Sequence, residues 1–415
     1  MKRLVVCCDG TWKKADDTNV SNIEKLARAV DTSPRGDAQQ VVHYSSGVGT
    51  GATLAERMLG GALGLGLDEA ILGAYRFLAL NYEEGDEIYV FGFSRGAYTA
   101  RSLAGMISSI GLLTPVGVAR NYLCDAIRTY RNRPHNGQKA KANAASRRDV
   151  RNFGAWCYEP GTVTITFVGV FDTVGAMGVP GMTMGKYKFH AVDVPTQVET
   201  ARQALAIDER RRRFEPCLWT TSDTNSTTDV KQVWFDGVHS DVGGGYREST
   251  LSDLSLMWMI GEARRRGLVF RNDLYYGNLQ PSNMPTLHDS LSFGFRIVNI
   301  VGALSAAITT LLHRRTTRFH KGRRIFEIAG SEQSKADWNV RIAQTAYERS
   351  GDIDPNPSLP VAPNAKLWID WMSRDHAGSD VPIEGVPAWP SYRTLHAVRP
   401  HDDSEPRAHR RSESS

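Results

Sequence analysis

Cysteine is scarce in this sequence, and its few residues form no framework. The five cysteines show neither a CxxC spacing nor the spacing of a zinc site: Cys7, Cys8, Cys124, Cys157 and Cys217. Cys7 and Cys8 lie in an apolar run, where a thiol acts as a small buried hydrophobic side chain. These features argue against a disulfide-stabilised secreted scaffold, and we expect the chain to be made in a reducing compartment.

Long hydrophobic runs are also missing. The apolar stretch Leu4–Cys8 is too short for a signal peptide, so we expect a chain that is cytoplasmic as made, with export left to a dedicated secretion machine. Ile297–Leu312 is a run of 16 uncharged residues, whereas a membrane-spanning helix needs about 20. Two interpretations stay open for it: a buried helix, or a lid whose basic flanks contact a membrane surface through residues 296–315.

Neither sign of charge dominates. The chain has 50 Lys and Arg residues against 45 Asp and Glu, a net charge of +5, and the basic residues stand in short clusters such as Arg210–Arg213. Clusters of this size are typical of solvated helix faces, so we expect no nucleic-acid partner. Gly47–Gly51 (GVGTG) is similar to a phosphate-binding loop but lacks its lysine, which leaves phosphoryl transfer as a weak alternative.

What the sequence does contain is an alternation of apolar strands and helices. Leu4–Cys8, Val41–Tyr44 and Ile88–Phe91 have the composition of buried strands. Helical spacing runs through Ile23–Val30 and Leu67–Asn81. This rhythm predicts an α/β fold, α/β-hydrolase-like, with a mostly parallel sheet flanked by helices.

The rhythm continues to about residue 267. Val163–Phe171 and Lys231–Phe235 are predicted strands, and Gln197–Asp208 and Leu251–Arg265 are predicted helices. We therefore expect a core over residues 1–267 with an insertion at about 112–160, a helical cap or variable region over 268–395, and a disordered tail over 396–415.

The segment Gly92–Gly96 (GFSRG) follows the third predicted strand directly and opens a helix. Strand, G-x-S-x-G and helix in succession are the context of a nucleophile elbow, where only glycine fits two residues either side of the serine. We predict that Ser94 is a nucleophile; the alternative is a turn whose serine only caps the helix. In an elbow, the amide of Arg95 would face the oxyanion.

Other polar residues follow predicted strands at the same edge of the sheet. Asp9–Trp12 (DGTW), Asp172 and His239 stand just beyond strand ends, where the ligand crevice of an open parallel sheet lies. The chain order Ser, Asp, His is that of α/β-hydrolases, in which His239 would be the base and Asp172 the acid that orients it. The second oxyanion donor would be a backbone amide of Gly10, Thr11 or Trp12.

The acid is the weaker of these assignments. Asp172 follows the strand directly after the elbow strand, whereas the commoner place for the acid is one strand later. Asp236 and Asp241 lie close to His239 in sequence and compete with Asp172. Asp241 could instead brace the His239 loop by accepting hydrogen bonds from backbone amides.

Four blocks of the sequence carry a resemblance to a known family. They are DGTW from Asp9, GFSRGAYTAR from Gly92, VFDTVGA from Val170 and FDGVHSDVGGGY from Phe235, within residues 4–260. Together they resemble an uncharacterised α/β-hydrolase domain family that includes phospholipase effectors of the bacterial type VI secretion system, the type 1 lipase class. The resemblance implies that Ser94, Asp172 and His239 are nucleophile, acid and base, and that the reaction is ester hydrolysis, with phospholipid the best-known substrate class.

The residues and the resemblance together predict a serine hydrolase. It would act on lipid or phospholipid acyl esters through an acyl-enzyme, without a metal or other cofactor. Two alternatives stay open: a small-molecule esterase or thioesterase, and a non-catalytic membrane-associated binding module.

Overall fold

The computed structural model of the chain describes most of the predicted core. The described residues are 1–10, 19–33, 38–47, 63–131, 154–159, 161–174, 194–211, 214, 216–219, 227–280, 285–290, 340–350, 365, 369 and 383–388. Thr11, residues 296–315 and the tail 396–415 lie outside them, as does the middle of the predicted insertion.

The fold is built on a parallel β-sheet. Its eight described strands lie in the order β2-β1-β3-β4-β5-β6-β7-β8, and each neighbouring pair is parallel. The strands are β1 (Lys2–Cys8), β2 (Gln39–Ser45), β3 (Glu87–Phe93), β4 (Phe167–Phe171), β5 (Thr200–Ala206), β6 (Asp229–Phe235), β7 (Val340–Ala343) and β8 (Ile383–Glu384). The predicted α/β class is confirmed.

Helices cover both faces of the sheet. They are α1 (Asn22–Ala29), α2 (Leu63–Asn81), α3 (Arg95–Ile110), α4 (Pro115–Ala119), α5 (Leu123–Arg131), α6 (His239–Gly243), α7 (Thr250–Arg265), α8 (Asn272–Gly277) and α9 (Gln344–Glu348). One hydrophobic core joins α1 and α7 to the sheet, and a second core, on a separate set of residues, joins α2 and α3 to it. Because both faces are covered, the central strands read as continuous apolar runs, which is why the sequence reveals them.

Strand register places the ends of three central strands side by side. Chain order reverses at β1, since β2 lies on one side of it and β3 on the other, and such a switch point is where ligands bind in open α/β sheets. Cys8 pairs with Gly92, and Phe93 pairs with Phe171. The residues that follow these strands therefore emerge at one edge.

The predicted helix over Gln197–Asp208 is wrong, because most of that segment forms β5. Its sequence TARQALA is rich in helix formers, but all seven residues are buried between β4 and β6. Arg202, in the middle of the strand, is paired with Glu262 and Asp229. Tertiary pairing has overridden local propensity here.

The expected helical region 268–395 also needs a correction. Two of its described segments, β7 and β8, are strands that extend the same sheet beyond the predicted core boundary at residue 267. With four and two residues they are too short to leave an apolar run in the sequence.

Within the described ranges, no helix combines the length and the apolar character that crossing a membrane requires.

Candidate active site

Ser94 lies on a sharp turn between β3 and α3. Its backbone has φ 58° and ψ −119°, a conformation that residues other than glycine rarely adopt. Its hydroxyl makes no capping hydrogen bond to α3. The capping alternative therefore does not describe this serine. Its amide donates instead to the carbonyl of Phe171, at the end of β4 (3.0 Å).

The two glycines of the turn are needed for steric reasons. A Cβ added to Gly92 would lie 2.4 Å from the carbonyl oxygen of Gly96. A Cβ added to Gly96 would lie 2.1 Å from the carbonyl oxygen of Cys8. Since backbone atoms block both positions, the close approach of α3 to β1 and β3 depends on glycine.

Asp172 and His239 form a buried pair at the same edge. Asp172 Oδ2 lies 2.6 Å from His239 Nδ1. The other carboxylate oxygen, Oδ1, accepts the amide of Ala206 (3.1 Å), and the Asp172 amide donates to the carbonyl of Ala204 (2.7 Å). Strand β5 thus fixes the acid from two sides, and the carboxylate selects the imidazole tautomer with its proton on Nδ1.

His239 is the first residue of the short helix α6, and its ring is enclosed by aromatic side chains. The imidazole lies 4.6 Å from the Phe93 ring and 4.9 Å from the Phe214 ring, centroid to centroid. Burial lowers the pKa of His239, and the hydrogen bond and charge of Asp172 oppose that shift. Phe93 directly precedes Ser94, so the serine and the imidazole share a neighbour.

Backbone strain coincides with the predicted site. Among the described residues other than glycine, three have a positive φ: Ser94, Asn121 and Asp172. Two of the three are predicted site residues. Strain of this kind persists only where the surrounding structure enforces it, and it is concentrated at functional sites.

The two competing carboxylates make other contacts. Asp241 Oδ2 accepts the amide of Val238 (3.0 Å), and its Oδ1 lies 2.6 Å from Nδ1 of His288. This is the bonding of a loop brace. Asp236 is buried and forms an ion pair with Arg349. Asp172 is therefore the carboxylate that contacts the His239 imidazole.

The expected oxyanion donors are only partly described. Gly10 lies against the serine, since a Cβ added to it would be 3.4 Å from Ser94 Cβ. Its amide, however, donates to Asp9 Oδ1 (2.6 Å), while Asp9 Oδ2 accepts the hydroxyls of Ser21 (2.5 Å) and Tyr44 (2.6 Å). Arg95 is the first residue of α3, and its amide is at the helix N-terminus beside Ser94. Burial lowers the pKa of the Arg95 guanidinium to about 10.

Sequence reasoning missed two buried acids at the end of β5. Asp208 Oδ2 accepts the amide of Gly237 (2.6 Å), and Glu209 Oε2 accepts the amide of His239 (3.2 Å). The mistaken helix over 197–208 hid the strand end that both acids follow. Recognising β5 as a strand would have placed them at the ligand edge.

The arrangement can support nucleophilic chemistry. A strained serine at a helix N-terminus and a carboxylate-bound imidazole are the parts of a Ser-His-Asp hydrolase site. Among the described residues, no three or more His, Cys, Asp or Glu side chains are grouped as a metal site.

The sequence is similar to those of known proteins. Residues 2–262 match the family model described as type VI secretion system phospholipase effector Tle1-like, catalytic domain. An uncharacterized protein of Saccharomyces cerevisiae is 30% identical over 235 residues, which are 53% of this chain and 33% of the yeast protein.

Two solved structures are also similar. One is a Tle1 effector bound to the VgrG spike of the type 6 secretion system (20% identity, TM-score 0.32, 59% of this chain and 51% of the other). The second is an uncharacterized protein from Pseudomonas aeruginosa (14% identity, TM-score 0.41, 96% of this chain and 66% of the other). The chain spans a third of the yeast protein's length and about half of the Tle1 effector's. Because the family model covers well over half of the 415 residues, the chain belongs to the family of Tle1-like phospholipase effectors of the type VI secretion system.

Proposed function

We propose that this chain is a serine hydrolase that cleaves acyl esters of lipids, with phospholipids as its substrate class. The observation that carries the proposal is the juxtaposition of the strained Ser94 elbow with the buried Asp172–His239 pair, whose Oδ2 and Nδ1 atoms lie 2.6 Å apart. Membership of a family of phospholipase effectors supports the choice of substrate. It also supports export of the protein by a secretion machine.

Each residue has one role in the proposed reaction. Ser94 Oγ attacks the acyl carbonyl carbon while His239 Nε2 takes the hydroxyl proton, and Asp172 stabilises the imidazolium that forms. The amide of Arg95 donates to the oxyanion of the tetrahedral intermediate. As the intermediate collapses, the imidazolium gives its proton to the leaving alcohol, and the acyl group stays on Ser94.

The second half of the reaction repeats these roles with water. His239 removes a proton from a water molecule as its oxygen attacks the acyl carbonyl carbon. The bond to Ser94 Oγ then breaks, the imidazolium returns its proton to that oxygen, and the fatty acid leaves. The burial of the imidazole supports this cycle: a lowered pKa keeps the ring neutral near pH 7, so that it can accept a proton.

The first test is covalent labelling together with turnover. A fluorophosphonate probe should modify Ser94, with the adduct located by mass spectrometry. Vesicles of phosphatidylethanolamine and phosphatidylglycerol should release fatty acid. The Ser94→Ala variant should lose both signals, with turnover reduced by about 10⁴-fold or more. Turnover close to that of the unmodified protein in a folded Ser94→Ala variant would refute the assignment.

Substrate class is tested by comparing two substrates at equal enzyme concentration. A phospholipase should release fatty acid from the vesicles faster than it cleaves p-nitrophenyl butyrate, a soluble short-chain ester. The reverse order would favour a small-molecule esterase or thioesterase. Vesicle binding without turnover of either ester would favour the membrane-binding module, with residues 296–315 as the proposed contact.

A further inference from the structure

The loop that carries His239 is anchored by buried acids. Three consecutive amides, those of residues 237, 238 and 239, each donate to a different carboxylate. The pairs are Gly237 with Asp208 (2.6 Å), Val238 with Asp241 (3.0 Å) and His239 with Glu209 (3.2 Å). The loop's backbone is thus held at successive residues, two of them by acids that follow β5.

Glu209 caps the first amide of α6. The first amides of a helix have no partner within it, and His239 is the first residue of α6. Val238, which precedes the helix, has no polar side chain to cap it. Glu209 supplies the missing acceptor from another segment, so the backbone position of His239 depends on this carboxylate.

Glu209 is itself held rigidly. Its side chain is fully buried. The Arg211 guanidinium donates two hydrogen bonds to it, from Nε to Oε1 (2.9 Å) and from Nη2 to Oε2 (2.8 Å). The amide of Arg211 (2.8 Å) and the hydroxyl of Ser290 (2.9 Å) also donate to Oε1. Such bidentate pairs fix geometry as well as charge.

The same ion pair reaches the imidazole by a second route. The Arg211 guanidinium carbon lies 3.5 Å from the centroid of the Phe214 ring, a cation–π contact. Phe214 in turn meets the His239 ring edge to face, at 4.9 Å between centroids. Glu209 therefore contacts the backbone of His239 directly, and its partner Arg211 supports the ring.

We propose that Glu209 is a positioning residue for His239, and that it acts together with Arg211 to hold both the backbone and the ring of the base in place. This inference rests on the proposed function, since it assigns a role within the same site. Glu209 contacts no reacting atom in this scheme. Its contribution is the fixed geometry of the base.

The charges of the pair also act on the base in opposite directions. The charge of Glu209 raises the pKa of His239, and the charge of Arg211 lowers it; Asp172, which is bonded to the imidazole, also raises it. Intact, the two charges of the pair offset each other. Removing one of them should shift the pH at which the base becomes protonated, and the direction depends on which charge is lost.

The test uses Glu209→Gln and Arg211→Gln with a matched control, Glu262→Gln. Glu262 is also a buried carboxylate bonded to an arginine (Arg202 Nε to Glu262 Oε2, 2.5 Å). It belongs to α7 and lies beside Lys231 near the start of β6, whereas His239 follows the other end of that strand. For each folded variant, kcat and KM for a soluble ester are measured across pH. The fraction folded is followed by circular dichroism.

We expect Glu209→Gln to lower kcat by about ten- to a hundredfold with KM unchanged, the range for groups that orient a reacting side chain. The pH at which this variant loses kcat/KM on acidification should be lower than in the unmodified protein, because the lost Glu209 charge no longer raises the pKa of His239. Arg211→Gln, which keeps the Glu209 bond to the His239 amide, should move that loss to higher pH. Glu262→Gln should leave the profile in place.

The outcomes separate the two proposals. If both site variants keep the control's kcat and pH profile, the positioning role is overturned while the proposed hydrolase stands. If Glu209→Gln does not fold, Arg211→Gln alone tests the positioning role. A move of its acid loss of kcat/KM to higher pH supports the role, and any other result overturns it. Activity that survives in Ser94→Ala would overturn the hydrolase instead.

Discussion

Replacing Gly96 by alanine tests whether the turn at Ser94 has the geometry described above. Gly96 is the second residue of α3, and an alanine Cβ there would lie 2.1 Å from the carbonyl oxygen of Cys8 and 2.4 Å from that of Asp9. Real Cβ atoms essentially never come within 3.0 Å of another heavy atom of this kind. The helix must therefore move away from β1 by about 0.9 Å, the difference between 3.0 and 2.1 Å.

That movement is costly because both clashing atoms are backbone carbonyl oxygens, one on the last residue of β1 and one on the residue that follows it. Overpacking in a close-packed interior destabilises by about 1–3 kcal/mol, mostly where side chains can still adjust. No side chain can adjust here, so we expect the upper end, about 3 kcal/mol. The better helix propensity of alanine returns only about 1 kcal/mol. The net loss in the free energy of unfolding should be about 2 kcal/mol or more.

Activity should fall by more than the loss of stability explains. Ser94 and Gly10 lie on either side of the contact that would be forced apart, and displacing reacting groups by about 1 Å can reduce a rate by about a hundredfold. Turnover per folded molecule is the quantity to measure, because it separates this effect from unfolding.

Gly73→Ala is the matched control. Gly73 lies within α2, and a Cβ added there meets nothing within 4 Å. This change should stabilise the protein by about 0.5–1 kcal/mol and leave turnover unchanged. Both variants are compared by guanidinium unfolding at equilibrium. If Gly96→Ala matches Gly73→Ala in stability and turnover, the close approach of α3 to β1 is not as described.

Three further predictions follow from other contacts. Asp172→Asn should keep the fold but lower kcat by about 10⁴-fold, since an amide no longer selects the tautomer with its proton on Nδ1; a loss under tenfold would point to another acid. The kcat/KM of the unmodified protein should fall on acidification with a midpoint below the ordinary imidazole pKa of about 6.5. The reason is that burial lowers the pKa of His239, and the base is lost as the pH drops through that pKa. A midpoint above about pH 6.5 would contradict the buried ring. Lys25→Met should reduce the free energy of unfolding by about 3–5 kcal/mol, because it leaves the buried Asp253 carboxylate, 2.6 Å from Lys25 Nζ, without its cation; adding Asp253→Asn should recover part of the loss in the same guanidinium titration.

The sequence predicted those strands that bury apolar side chains on both faces. β1, β3 and β4 stand out because their apolar runs are buried and continuous, with Asp9 after β1, Gly92 within β3 and Asp172 after β4. β5 could not be recognised in this way, since Arg202 and Gln203 occupy its centre. Their polar groups bond to residues that tertiary folding brings in, among them Glu262 and Asp229 for Arg202, and Thr173 and Gln232 for Gln203. No local pattern encodes such partners.

Ser94 and His239 could be proposed as site residues from the sequence because the signals that mark them are local. Ser94 needs a strand, two glycines and a helix, all of which are local, and His239 follows a readable strand. The role of Glu209 could not be predicted, because its partners are distant in sequence. Its role depends on an amide 30 positions away and on Ser290, 81 positions away, neither of which leaves a signal near residue 209.

The position of Asp172, the proposed acid, can be explained by register. Because Phe93 pairs with Phe171, the residues that follow β3 and β4 stand side by side, and Asp172 must reach His239 across the end of β5. Its positive φ of 40° and its two bonds to β5 hold it in that direction. The end of β5, the commoner place for such an acid, is taken here by Asp208 and Glu209, which bind the backbone of the His239 loop.

Glu209 lies close to His239 but is already bonded to other groups. Glu209 lies within bonding distance of the residue that needs an acid, yet its two oxygens already accept bonds from Arg211, Ser290 and the His239 amide. Turning it toward the imidazole would break the contacts that hold the loop. Glu209 should therefore be unable to replace Asp172, and Asp172→Asn should show its full loss of kcat even though a second carboxylate lies beside the base.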